Sequence, residues 1–121
     1  MPGSFEVIRT AGATIVAAAG DLDLAVTDVL EALLDRELRR RPPALVVDTA
    51  AVTFCAARVL TILVDATADA VLRGVPFALA GRNRVLLRPI ELLGLGRVLP
   101  IHRDTGEALS WLAAVPLLTD R

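Results

Sequence analysis

A single cysteine, Cys55, rules out an internal disulfide framework in this chain of 121 residues. Lysine and tyrosine are absent, so all thirteen basic side chains are arginine, and fourteen acidic ones leave a formal net charge of -1. That balance excludes a general nucleic-acid binder, whose affinity would come mainly from neutralising phosphates. Aromatics are only 3% while 55% of residues are hydrophobic, so the core falls to Val, Leu, Ile and Ala. Many small contacts of that kind suit helices packed on a sheet. No apolar run approaches the ~18–20 residues that span a bilayer, because Asp65 and Asp69 interrupt the longest candidate, and the opening MPGSFEV lacks the features of a secretion signal. One cysteine and one histidine, His102, fall short of ordinary zinc ligation, and no metal or cofactor is expected. The expectation is one domain spanning 1–121, in the cytoplasm, with neither membrane nor nucleic acid as partner, large enough to bury roughly two-thirds of its unfolded surface.

What is present reads as alternating strands and helices. FEVIR (5–9) and TIVAAAG (14–20) are strands joined by a connection of hairpin length. Val26, Val29, Leu30, Leu33, Leu34 and Leu38 recur at the spacing of one helical face, with Asp23 as N-cap and RPP at 41–43 as the stop. ALVVD (44–48) is a continuous apolar run, the pattern of a central parallel strand covered on both faces. A helix from Arg58 to Arg73 follows, its apolar set Val59, Leu60, Ile62, Leu63, Ala66, Ala70 and Val71 covering more than half its circumference, and Gly74 ends it. PFALAG (76–81) reads as a strand, and 83–94 as a helical stretch that Pro89 kinks or divides. Residues 97–102 read as a short strand or an extended connection and 105–115 as a closing amphipathic helix. The fold class is α/β, with a mixed, mostly parallel sheet of about four to five strands, an initial antiparallel hairpin and packed helices.

The junction VTFCAARVL (52–60) is a strand end, a turn and a helix start, a favoured place for polar chemistry because free helix N–H groups point there. Yet the turn residues Cys55, Ala56, Ala57 and Arg58 offer no hydroxyl, carboxylate or glycine. Nothing in the spacing brings Cys55 to His102 as a nucleophile and base, and Cys55 reads as a small buried hydrophobe. Asp21 and Asp23 in GDLD read as capping and turn residues rather than an acid-base pair. RELRRR (36–41) reads as a solvated helix end that complements the macrodipole, and GRNR (81–84) as a solvated loop with weak anion-binding character. No catalytic residues and no enzyme emerge.

GDLDLAVTDVL (20–30), ALVVDTAAVTF (44–54) and ELLGLGRVLPI (91–101) together resemble the STAS domain, the fold of bacterial anti-sigma factor antagonists and of cytoplasmic segments of sulfate transporters. The resemblance covers almost the whole chain and rests on the order and spacing of degenerate motifs. It implies a transcription regulator that acts by protein-protein interaction with an anti-sigma factor that is also a serine kinase. In that family pattern D-S-S-G follows V-x-F, and phosphorylation of the first serine releases the partner. A phosphate adds about -1.5 to -2 charges, which a helix N-terminus tolerates and an apposed protein surface does not.

Aligned on the motif, the aspartate falls on Ala56, the phosphoacceptor on Ala57, the second serine on Arg58 and the glycine on Val59. The resemblance therefore implies a scaffold whose switch has been removed, and places the partner surface at Asp21, Asp23, Ala56, Ala57, Arg58 and Val59. Ala57 alone mimics an antagonist held unphosphorylated. Arg58 and Val59 are bulkier than serine and glycine, and an interface fitted to the smaller pair is expected to be overpacked by ~1–3 kcal/mol. This implies a partner with an acidic spot for Arg58, or lost binding. Thr53 and Thr61 are the nearest hydroxyls, and neither is displaced so as to replace the serine. A homodimer is compatible with this reading. The alternative is a nucleotide- or anion-sensing STAS domain using the same corner, with Arg58 as the anion contact.

Overall fold

Thr10 closes the first hairpin, its N–H donating to the Ala13 carbonyl at 2.8 Å and its hydroxyl oxygen accepting from the Ala13 N–H at 3.1 Å. The computed structural model that shows this describes residues 1–119, with 115–119 as backbone only. The hairpin joins β1 (Ser4–Arg9) to β2 (Thr14–Leu22), and the chain continues through α1 (Leu24–Arg39), β3 (Leu45–Cys55), α2 (Ala57–Arg73), β4 (Phe77–Ala80), α3 (Arg84–Leu92), β5 (Ile101–His102) and α4 (Thr105–Thr119). The sheet order is β1-β2-β3-β4-β5, with β1 antiparallel to β2 and the other neighbours parallel. Each parallel crossover needs a connection long enough to return to the same end, and a helix lies in every one. Among the described residues no helix is long and apolar enough to cross a membrane.

The two faces of the sheet are covered differently. Val16, Leu22, Leu45, Val47 and Leu79 pack with Leu30, Leu34 and Leu38 of α1, Val59, Leu60, Ile62 and Leu63 of α2, and Leu86 and Ile90 of α3. On the other face Ala44, Val46, Ala78 and Ala80 meet Ala108 and Leu112 of α4, small residues that admit close approach. Double coverage explains why Leu45, Val46 and Val47 form an unbroken apolar run, all at or below 2% exposure.

The elements depart from sequence expectation in definable ways. β3 runs seven residues past Asp48, to Cys55, because β2 supplies ladder partners as far as Leu22↔Cys55. Its outer half carries exposed Ala50, Ala51, Thr53 and Phe54, so hydrophobicity alone ends the strand too early. β5 shrinks to two residues because the Val98 and Leu99 N–H groups fold back onto the Leu95 carbonyl. α3 continues through Pro89 to Leu92 as one helix. Val29 is 55% exposed, whereas Thr27, about 200° away around α1, is buried, its hydroxyl donating to the Leu24 carbonyl.

The basic run at the end of α1 is not simply solvated. Glu37 within it is enclosed, and its carboxylate accepts from Arg9 Nε at 3.0 Å, Arg9 Nη2 at 2.7 Å and Arg36 Nε at 3.0 Å. Arg41 then takes a left-handed backbone (φ 49°) and Pro42 ends the helix. The pKa of Glu37 is lowered first by the Arg9 hydrogen bond, with Arg36 adding and burial opposing. A carboxylate with a depressed folded pKa contributes stability that is present above its unfolded pKa and lost as pH falls through the folded value. Glu37→Gln is therefore expected to cost about 1–3 kcal/mol at neutral pH, the worth of charge-assisted bonds to half-exposed guanidiniums. The gap to wild type should close on acidification, as read by urea denaturation across pH 2–7.

Candidate functional site

The four residues Gly20 to Leu22 and Asp23 each do something different. Gly20 has φ 79°, and a side chain there would run into the Pro2 carbonyl, so only glycine fits. The register changes at this point, with Gly20 opposite Val52 but Asp21 opposite Phe54. Thr53 is thus the extra residue of a bulge, and its hydroxyl donates to Asp21 Oδ1 at 2.6 Å. Asp21 Oδ2 also holds the amino terminus at 3.1 Å, and these bonds, Thr53 first, lower the Asp21 pKa. Leu22 is buried in the core. Asp23 caps α1, accepting from the Ala25 N–H at 3.0 Å. The capping role expected of Asp23 is observed, whereas Asp21 pins the bulge instead of making a turn.

The adjacent corner is the start of α2. The Ala56 N–H donates to the Leu22 carbonyl at 2.9 Å, tying the end of β3 to β2. Ala56 is the N-cap residue, extended at φ -68° and ψ 150°, and no side chain caps the helix. Ala57 is the first helical residue and is exposed, so its methyl stands at the strand-to-helix corner. Ala56→Asp should supply the missing acceptor and raise stability by about 1 kcal/mol, an increase of roughly 4 °C in Tm by calorimetry.

Arg58 and Val59 part company. Arg58 reaches across to α1 and donates to Glu31 Oε1 at 3.3 Å, which offsets placing a cation at a helix N-terminus. The acidic spot expected of a partner is thus present in the chain itself. Val59 turns inward at 1% exposure and belongs to the core. Its side chain offers nothing to a partner, and the overpacking expected there is corrected to Arg58 alone. Phe54, at the end of β3, is 51% exposed and Leu24, at the start of α1, 69% exposed. Phe54 pairs with Asp21 near the end of the β2–β3 ladder, Leu24 opens α1 two residues after that ladder ends at Leu22↔Cys55, and Ala57 opens α2 two residues after Cys55.

Cys55 and His102 are not brought together. His102 pairs with Ala80, and Ala80 with Asp48, seven residues along β3 from Cys55, a separation of about 20 Å or more at strand rise. Burial pushes the Cys55 thiol up to about 11, away from a nucleophilic thiolate.

Sequence reasoning missed the part played by Asn83. Its Nδ2 donates to the carbonyls of Thr49 (3.2 Å), Ala50 (3.4 Å) and Val52 (2.6 Å), while its Oδ1 caps α3 through the Val85 N–H at 3.0 Å. Arg82 donates to the Ile101 carbonyl, and Gly81 (φ 87°) lies so close to Ala50 that a side chain would collide. GRNR is therefore a clamp on the outer half of β3 rather than a solvated anion loop. An Asn immediately before a helical stretch was the available signal for the cap.

The family described as Mlab, STAS domain matches residues 6–100. The anti-sigma-F factor antagonist RsfB of Mycobacterium tuberculosis (strain H37Rv) is 31% identical over 99 residues, covering 82% of this chain and 80% of that protein. An anti-sigma factor antagonist from Mycobacterium paratuberculosis superposes with a TM-score of 0.80 at 26% identity, over 93% of this chain and 95% of that one. The Bacillus cell fate determinant SpoIIAA in its phosphorylated form superposes with a TM-score of 0.70 at 12% identity, over 90% of this chain and 99% of that one, a likeness of fold. With the hairpin, the parallel crossovers and the β3–α2 corner all in place, the chain belongs to the STAS domain family.

Proposed function

We propose that this chain acts as a single cytoplasmic binding domain of the anti-sigma factor antagonist kind, docking on an anti-sigma factor through the β3–α2 corner and the start of α1 without phosphorylation at position 57. The observation that carries this reading is the corner itself. The first position of α2 presents an exposed methyl, the end of β3 an exposed Phe54 and the start of α1 an exposed Leu24, and Arg58, next along α2, pairs with Glu31 of α1. Aromatic and aliphatic groups presented at a rigid corner supply the apolar centre of a protein interface, with the ion pair at its rim. The relatives described as anti-sigma factor antagonists support the choice of partner.

An anion sensor centred on Arg58 is less well supported, because Glu31 already occupies that guanidinium and an incoming anion would have to displace it. The test is calorimetric titration against each anti-sigma factor of the source genome. One should bind, and Phe54→Ala should weaken that complex at least tenfold, as expected of an aromatic anchor worth about 2 kcal/mol. Binding by none, or binding indifferent to Phe54, contradicts the proposal.

A further inference from the structure

A surface cavity, partly open to solvent, lies at the other end of α2. It has a volume of about 610 Å³ and is bounded by the end of α2, the start of β4, Arg97, Val98 and Pro100, and Trp111 and Leu112 of α4. That volume falls within the roughly 300–1,000 Å³ usual for small-molecule sites. Val75, Phe77, Val98, Pro100 and Trp111 make its wall apolar. Val71, which helical periodicity assigns to the buried face, is instead 75% exposed at this cavity, with Trp111 46% and Val98 43% exposed. The ring of His102 packs against Trp111 with centroids 5.0 Å apart, fixing the indole as a wall.

The polar groups of the cavity narrow its ligand. Thr67 gives its hydroxyl to the Leu63 carbonyl at 2.8 Å. Arg97 is the one charged residue in the lining, and among the described residues it, like Arg41, Arg82, Arg84 and Arg88, makes no ion pair, which leaves its guanidinium available to a ligand. A guanidinium over an apolar cavity is complementary to a carboxylate on an apolar body. We infer that the cavity between α2, β4 and α4 is a binding site for a small amphiphilic monocarboxylate, its acid group on Arg97 and its apolar body against Trp111, Phe77 and Val98. The site is separate from the docking corner, because α2 spans 17 residues between Ala57 and Arg73, about 25 Å at helical rise. It does not depend on the identity of any protein partner.

Trp111 is the only tryptophan in the chain, so it reports on its own site. Octanoate added to the full-length protein is expected to change its emission saturably at sub-millimolar concentration. The uncharged analogue octanol, with the same chain length, should bind at least tenfold more weakly, and Arg97→Gln should weaken octanoate by roughly tenfold. Arg97→Lys should recover part of that loss, and both variants should melt as wild type, since Arg97 is exposed. Overturning results are equal affinity for octanoate and octanol, octanoate binding unchanged in Arg97→Gln, or no saturable change. A Trp111 signal that follows protein concentration, together with dimer formation in sedimentation, would assign the face to a second copy of the chain and also overturn the proposal.

Discussion

Replacing Val59 with the glycine that the family pattern carries at this position is expected to destabilise the protein by about 3 kcal/mol, lowering Tm by roughly 10 °C. Val59 is 1% exposed within the core shared by α1, α2 and the sheet. Removing its side chain leaves a cavity, and glycine in the first turns of a helix adds its own backbone entropy cost. Urea and thermal denaturation of Val59→Gly measure the effect. A loss below about 1 kcal/mol would mean that the core collapses freely around the site. Restoring the whole D-S-S-G sequence would therefore combine opposing changes, a gained cap at Ala56 against a hollowed core at Val59, and each should be made singly.

Ala57→Asp is expected to leave the fold intact and to abolish docking. A carboxylate at the first position of α2 lies at the positive end of the helix dipole, so the free protein tolerates it. In an interface the same charge is desolvated without a partner. The complex should weaken by about 2 kcal/mol or more, at least thirtyfold in Kd. Melting and titration together separate the two effects, since a stable protein that no longer binds is the expected pair of results. Unchanged affinity would place Ala57 outside the interface.

The residues around this corner show what a sequence can and cannot convey. Asp23 and the stop at Gly74 were legible because caps act locally, through the backbone within one turn of their own position. Val59 received two incompatible readings: helical spacing put it with Leu60, Ile62 and Leu63 on the buried face, while the motif put it on the docking surface. Periodicity prevailed, because the direction of a side chain on α2 follows from helix geometry and not from the family's residue type. Glu37 was hidden in a charge run, although it stands seven residues after Leu30 and three after Leu34, squarely on the buried stripe. What sequence could not supply was its counter-charge, since Arg9 comes from β1, 28 residues earlier. The bulge at Thr53 and the clamp from Asn83 were illegible for the same reason, as both depend on which strand lies alongside β3. Arg58 read as an unmatched cation only until α1 brought Glu31 to it.

Everything proposed for the corner rests on a binding surface that persists where no acceptor hydroxyl stands. The decisive measurement is the affinity for the cognate anti-sigma factor before and after prolonged incubation of the mixture with magnesium ATP, with mass spectrometry of the recovered chain. Undiminished affinity and no phosphate on residues 53–61 are the expected results. ATP-dependent release accompanied by phosphate on Thr53 or Thr61 would show that the toggle had moved rather than vanished.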